Sequence, residues 1–144
     1  MNWKSEAIGK LKGYRQHKAA IDNLQIEISR LKSEAESIRS ANKTSTPVQG
    51  GGPSREDMLL SNIVLREELR RQLRSARLWV TMVDNALESL DAEERALLED
   101  IYFAEDRLSL VVICESWHME RSTFYRRRDD ALKHFVAALY GIDV

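Results

Sequence analysis

A single cysteine, Cys114, leaves no partner for a disulfide within the chain and suits a reducing compartment. Proline occurs only twice and glycine six times, with three of the glycines consecutive, so little interrupts helix outside that one place. No stretch approaches the roughly 18 apolar residues of a membrane span. The opening "MNWKSEAIGKLKGYRQHK" lacks the apolar core of a signal peptide, and both absences predict a cytoplasmic protein with no membrane partner. The only glycine cluster, "QGGGPS", has neither the lysine nor the preceding strand of a phosphate-binding loop. No enzyme chemistry and no cofactor are expected.

An excess of one charge is also missing: the formal net charge is −1, so bulk composition does not point to nucleic acid. The distribution of charge is more informative. Residues 84–106 hold nine acids (Asp84, Glu88, Asp91, Glu93, Glu94, Glu99, Asp100, Glu105, Asp106) against one base, Arg95, whereas residues 121–128 hold four arginines and no acid. A neutral chain with segregated signs can still present a basic face. The acids fall around several helix faces and are expected to form solvated surface rather than a metal or catalytic cluster.

The first segment, about Trp3 to Ser40, carries Ile21, Leu24, Ile28, Leu31, Ala35 and Ile38 at spacings of 3, 4, 3, 4, 3. This is an a/d heptad seam, continued toward the start by Tyr14 and His17. "ANKTSTPVQGGGP" follows, without periodicity and with the composition of a flexible connection, over residues 41–53. Ser54 is a good N-cap for a second helix running to about Leu90, with Asp57 three positions on. There Leu69, Leu73, Ala76, Val80, Val83, Leu87 and Leu90 again alternate spacings of 4 and 3. Each helix would be on the order of 55 Å long. The linker, with a reach of about 40 Å when extended, permits an antiparallel hairpin within one chain or pairing with a second chain.

The last third has shorter elements. Asp91 caps a helix with Glu94 at its third position, and Leu97, Leu98, Ile101 and Tyr102 follow on one side. A short helix is expected from about Ser109, a tight turn near His118, and a longer helix from Arg121 stopping close to Gly141. Two helices joined by so short a turn form a helix-turn-helix pattern. The fold expected is all-α: residues 1–90 as a helical hairpin or oligomerisation arm, then residues 91–144 as a three-helix DNA-binding domain.

On a helical wheel, Phe124, Ala131, Leu132 and Phe135 define one apolar face, extended by Val136 and Leu139. Ser122, Lys133 and Arg126 lie roughly 160–200° away from Phe124, flanked by Thr123 and Tyr125. In helix-turn-helix proteins this N-terminal outer half enters the major groove. Arginine reads the guanine edge with two bonds and serine meets base or phosphate. Ser122, Tyr125 and Arg126 are therefore the base-contacting candidates. Arg121, Thr123 and Arg127 are the phosphate-positioning ones, with Arg128 also placed to the side. Asp129 and Asp130 would repel phosphate unless turned away or paired with Arg126.

The stretch "LESLDAEERALLEDIYFAEDRLSLVVICESWHMERSTFYRRRDDALKHF" resembles the fourth region of sigma-70-type factors. Leu90, Glu94, Arg95, Leu98 and Tyr102 match its leucine-rich first part. Ile113, Cys114, Trp117, Arg121, Ser122, Thr123, Tyr125, Arg126, Ala131 and Leu132 match its helix-turn-helix. His118 stands at the turn position often held by glycine, and Glu120 where serine or threonine often caps the second helix. The chain as a whole is similar to phage and prophage late-gene transcriptional regulators of the ArpU and RinA types. That resemblance implies a transcriptional regulator that reads duplex DNA with the helix 121–134 and contacts RNA polymerase. A homo-oligomer, preferably a dimer, would form through the long helices. Two alternatives stay open: a small terminase-like subunit that marks DNA for packaging, and a sigma-like protein-interaction module that does not touch DNA.

Two further features have bland readings. Cys114 and His118 are spaced i, i+4, as metal ligands can be, but without a second ligand pair a packed cysteine is preferred. Arg66, Arg70, Arg74 and Arg77 run along one face at spacings of 4, 4, 3. They can lie along DNA or flank the coiled-coil seam and pair with Glu27 or Glu34. The second is preferred.

Overall fold

The computed structural model of the chain describes residues 2–41, 52, 54–104 and 109–144, and every regular element among them is an α-helix. Two long helices, α1 (Trp3–Ala41) and α2 (Arg55–Glu88), precede three shorter ones, α3 (Ala92–Tyr102), α4 (Leu110–Ser116) and α5 (Arg121–Tyr140). The linker assigned to residues 41–53 falls, apart from 41 and 52, outside the described residues, as do Glu105 and Asp106 of the acidic run.

The helix starts follow local capping chemistry. Ser54 Oγ accepts from the Asp57 N–H at 3.2 Å, Asp91 from the Glu94 N–H at 2.8 Å, and Ser109 Oγ from the Val112 N–H at 3.4 Å. Each satisfies one of the donors that a first turn leaves orphaned. The end of α5 is set by Gly141 in the left-handed region at φ 67°, with its N–H donating to the Ala137 carbonyl. Only a residue without Cβ takes that conformation freely.

Two compact units divide the chain, one comprising Lys18–Arg77 and the other Met1–His17 with Leu78–Val144. In the Lys18–Arg77 unit the chain folds back on itself. Residues 25–29 of α1 border the same cleft as residues 70–77 of α2, and residues 31–34 border one with residues 57–65; the two helices are thus antiparallel. Leu31, Ala35, Leu73 and Ala76 are buried along the heptad seams. A polar residue joins them: Asn62 is 5% exposed. Its amide donates to the Leu31 carbonyl at 2.8 Å and its Oδ1 accepts from Arg66 Nε at 2.8 Å. With both ends of the amide satisfied, its burial carries no unpaired polar group.

The other unit builds its main core from four segments. Ala7, Leu11 and Tyr14 of α1, Val83, Ala86 and Leu87 of α2, Leu98 of α3, and Ala131, Leu132, Phe135 and Val136 of α5 form one buried cluster. Residues 1–17 and 78–90 therefore share a core with the C-terminal helices, so the sequence-drawn boundary between residues 90 and 91 does not coincide with the division between compact units. Tyr14 stacks on Phe103 with ring centroids 4.5 Å apart, and its hydroxyl donates to Asp84 at 2.6 Å. Burial, and then the bond to the Asp84 carboxylate, push the Tyr14 phenol up to about 12.

Trp79 fixes where α1 meets α2 in this unit. Its indole N–H donates to the Lys10 carbonyl at 3.0 Å, its ring stacks 4.1 Å from His17, and the Lys10 ammonium lies 4.0 Å from the ring centroid. Gly13 allows this close approach, because a Cβ there would sit 2.9 Å from Trp79 Cζ2. Gly13→Ala gains up to about 1 kcal/mol of helix propensity but overpacks at a cost of about 1–3 kcal/mol. A net loss of about 1 kcal/mol is expected in urea unfolding; a raised midpoint would show that the indole yields without penalty.

Candidate nucleic-acid interface

The last helix is oriented by its inner face. Phe124, Ala131, Leu132, Phe135 and Val136 are each 0% exposed, as the wheel requires. The two phenylalanines enter different clusters: Phe135 joins the main core, and Phe124 joins Leu97, Ile113 and Cys114 in a smaller core beneath the helix pair. α3, α4 and α5 are thus held together around the turn.

The turn itself is tied from below. The Trp117 indole donates to Asp100 at 2.9 Å, and the Cys114 thiol, 4% exposed, donates to the Met119 carbonyl at 3.3 Å. Cys114 is therefore a packing residue at the crossing of α4 and α5. His118 takes the left-handed backbone position at φ 53°, the conformation that makes glycine common at such turns. Glu120 caps α5 by backbone position only, with no side-chain hydrogen bond to the helix.

On the outer face, Arg121, Ser122, Arg126 and Lys133 are exposed, and Thr123 and Tyr125 are half-buried. Among the described residues neither Arg121 nor Arg126 has an ion-pair partner. The structure places the remaining candidates differently from the wheel. Arg127 forms an ion pair with Glu93 of α3, so its guanidinium is not free to meet phosphate in this conformation. Arg128 turns inward: its side chain is 23% exposed and its guanidinium lies 5.1 Å from the Tyr125 ring centroid. The Tyr125 ring also meets Phe124 edge-on at 5.8 Å, which leaves it less available to a base than Ser122 or Arg126.

Asp129 does not pair with Arg126. Lys4 of α1 holds it at 2.8 Å, with Arg128 at 3.4 Å, and the bond to Lys4 holds its carboxyl below the usual carboxylate range. The acids of residues 84–106 likewise do more than face solvent. Asp84 receives Tyr14, Asp91 caps α3, Asp100 receives Trp117, Glu99 pairs with Arg95, and Glu93 and Glu94 hold Arg127 and His134. The Asp91 cap was read from the sequence; the other roles were missed because each partner lies on another helix or is set by helix phase.

His134 Nδ1 lies 2.5 Å from Glu94. The Glu94 carboxylate raises the His134 imidazole above its ordinary value. Glu94 is also raised, because the cost of burying its carboxylate outweighs the attraction of the more exposed imidazole.

No protein-family model, no curated protein and no solved structure matches this chain. No helix among the described residues is long and apolar enough to cross a membrane.

Two expectations follow from the geometry of α5. Glu120→Ser supplies the missing cap and should stabilise the protein by about 1 kcal/mol, read as a raised thermal midpoint; no gain would mean that the first-turn N–H groups already have partners. The His134–Glu94 contact is fully effective below the unfolded imidazole value of about 6.5 and is lost as pH rises through the raised folded value. Stability should therefore fall over that interval in the wild type and fall less in His134→Gln. Identical pH profiles for the two would remove the linkage.

Proposed function

We propose that the protein is a sequence-specific duplex-DNA-binding transcriptional regulator of the phage and prophage ArpU/RinA type, acting in the cytoplasm of a bacterial host. α5 enters the major groove by its N-terminal half, with Arg126 and Ser122 as the principal base readers and Tyr125 in a lesser role. Arg121 and Thr123 position the helix on phosphate. Arg127 joins them by exchanging Glu93 for phosphate. Both partners of that pair are about half exposed, and exposed pairs contribute only about 0–1 kcal/mol, so the exchange is inexpensive. Two protomers associate through the long helices to read paired half-sites, and the sigma-like end meets RNA polymerase.

The observation that supports this reading best is the exposure of Arg126 beside Ser122, with no ion-pair partner among the described residues, on a helix whose opposite face is fully buried. A structural charge run would be expected to be compensated. On this helix Arg127 and Arg128 have ion-pair partners, and among the described residues Arg121 and Arg126 have none.

Gel-shift titration of duplexes from the late promoter region of the encoding phage tests the proposal. The wild type should give a salt-sensitive shift, and Arg126→Ala should lose about 1–3 kcal/mol of base discrimination. Absence of a shift would exclude this role and favour a module that binds protein alone, and a shift that Arg126→Ala leaves unchanged would exclude α5 as the reader of sequence.

A further inference from the structure

The hairpin carries a second basic feature, separate from α5. Arg70, Arg74 and Arg77 of α2 line one cleft of about 390 Å³ together with Gln25 and Ser29 of α1. The sequence offers Glu27 and Glu34 as their partners. The structure commits both to another residue: Arg30 holds Glu27 at 2.7 Å and Glu34 at 3.0 Å. Glu68 is engaged by Arg71 at 2.5 Å, and Arg66 leaves the stripe to bind Asn62. Among the described residues, Arg70, Arg74 and Arg77 have no ion-pair partner.

Three like charges at i, i+4 and i+7 on one helix repel one another, so the arrangement is favoured by an anion rather than by the fold. Guanidinium is the group best matched to phosphate, through paired N–H donors, and the Gln25 amide and Ser29 hydroxyl border the same cleft as additional donors. From Arg70 to Arg77 the helix advances about 10 Å. One phosphate does not bridge that length, whereas successive phosphates of a polyanion do.

We propose that this cleft binds the phosphodiester backbone of duplex DNA, as a second anchor that adds affinity without sequence information. The proposal rests on the DNA-binding role of α5 and extends it to the hairpin. Free polyphosphate shares the recognised chemistry, and a separate arm of the experiment tells the two apart.

The experiment uses the full chain and three variants: Arg70→Gln/Arg74→Gln/Arg77→Gln, the corresponding triple lysine variant, and Arg126→Ala, each checked for helix content and solution mass. Binding to a late-promoter duplex and to a duplex of unrelated sequence is titrated across salt concentrations, and sodium tripolyphosphate is titrated separately. The triple glutamine variant is expected to lose roughly 2–3 from the slope of log affinity against log salt, about 0.9 for each phosphate contact removed. The lysine variant is expected to keep most of that slope. Wild-type slope in the folded triple glutamine variant overturns the cleft as an anchor, while loss of sequence preference in Arg126→Ala would still uphold α5 as the reader. Tripolyphosphate binding that depends on these arginines, without DNA binding, overturns the duplex assignment and the α5 reading together. Binding of neither ligand overturns the site altogether.

Discussion

The docking of α5 through Phe124 and Phe135 is the constraint on which the remaining geometry depends. The two rings lie three helical turns apart on one face, and each is completely buried in a different cluster. Fully burying a phenylalanine contributes about 1.5–3 kcal/mol, and two anchors on the same face fix the rotation of the helix about its axis as well as its position. Once that rotation is set, the outward direction of Ser122 and Arg126 is no longer free. A turn of some 100° in either direction would put Tyr125 and Leu132, or Thr123 and Arg127, where Ser122 and Arg126 now face outward.

Charge is sorted on this scaffold by what each helix meets. α3 presents Glu93 and Glu94 to α5 and takes up Arg127 and His134, and α1 presents Lys4 and takes up Asp129. These contacts neutralise the flanks of α5 and leave Arg121 and Arg126 on its leading turns. The acidic run therefore serves to hold the helix pair, through Asp91 as cap and Asp100 beneath Trp117 as much as through ion pairs. Most of these pairs are exposed, and their individual contributions are small. Their larger consequence is the choice of which cations stay exposed on α5.

Much of the fold was legible in the order of residues, because the signals involved are local. A cap acts across three residues, as at Ser54, Asp91 and Ser109, and a glycine end acts at one, as at Gly141. The heptad seams were visible over most of both long helices because apolar side chains marked them. The α2 seam was followed only from Leu69, yet its phase continues through Arg66 to Asn62, which is buried and bonded to the Leu31 carbonyl. A polar residue at a seam position is invisible to an apolar-periodicity count. Extending the spacing of 4 and 3 backward regardless of residue type would have exposed it.

Composition and periodicity were enough to determine an all-helical chain, the positions of its helix ends, and which side of α5 is apolar, since those properties follow from backbone chemistry within a few turns. Partnerships between distant residues were decided only in three dimensions. Arg127 went to Glu93 and Asp129 went to Lys4, whereas Glu27 and Glu34 went to Arg30 on their own helix, a choice that i, i+3 and i, i+4 spacing already offered. The first turns of α1 and the last of α2 entered one core with the C-terminal helices. Charges of either sign attract whichever opposite charge lies nearest, and apolar faces accept any apolar surface of suitable shape. Such choices depend on which segments the packed chain brings together, a distance that linear spacing does not encode.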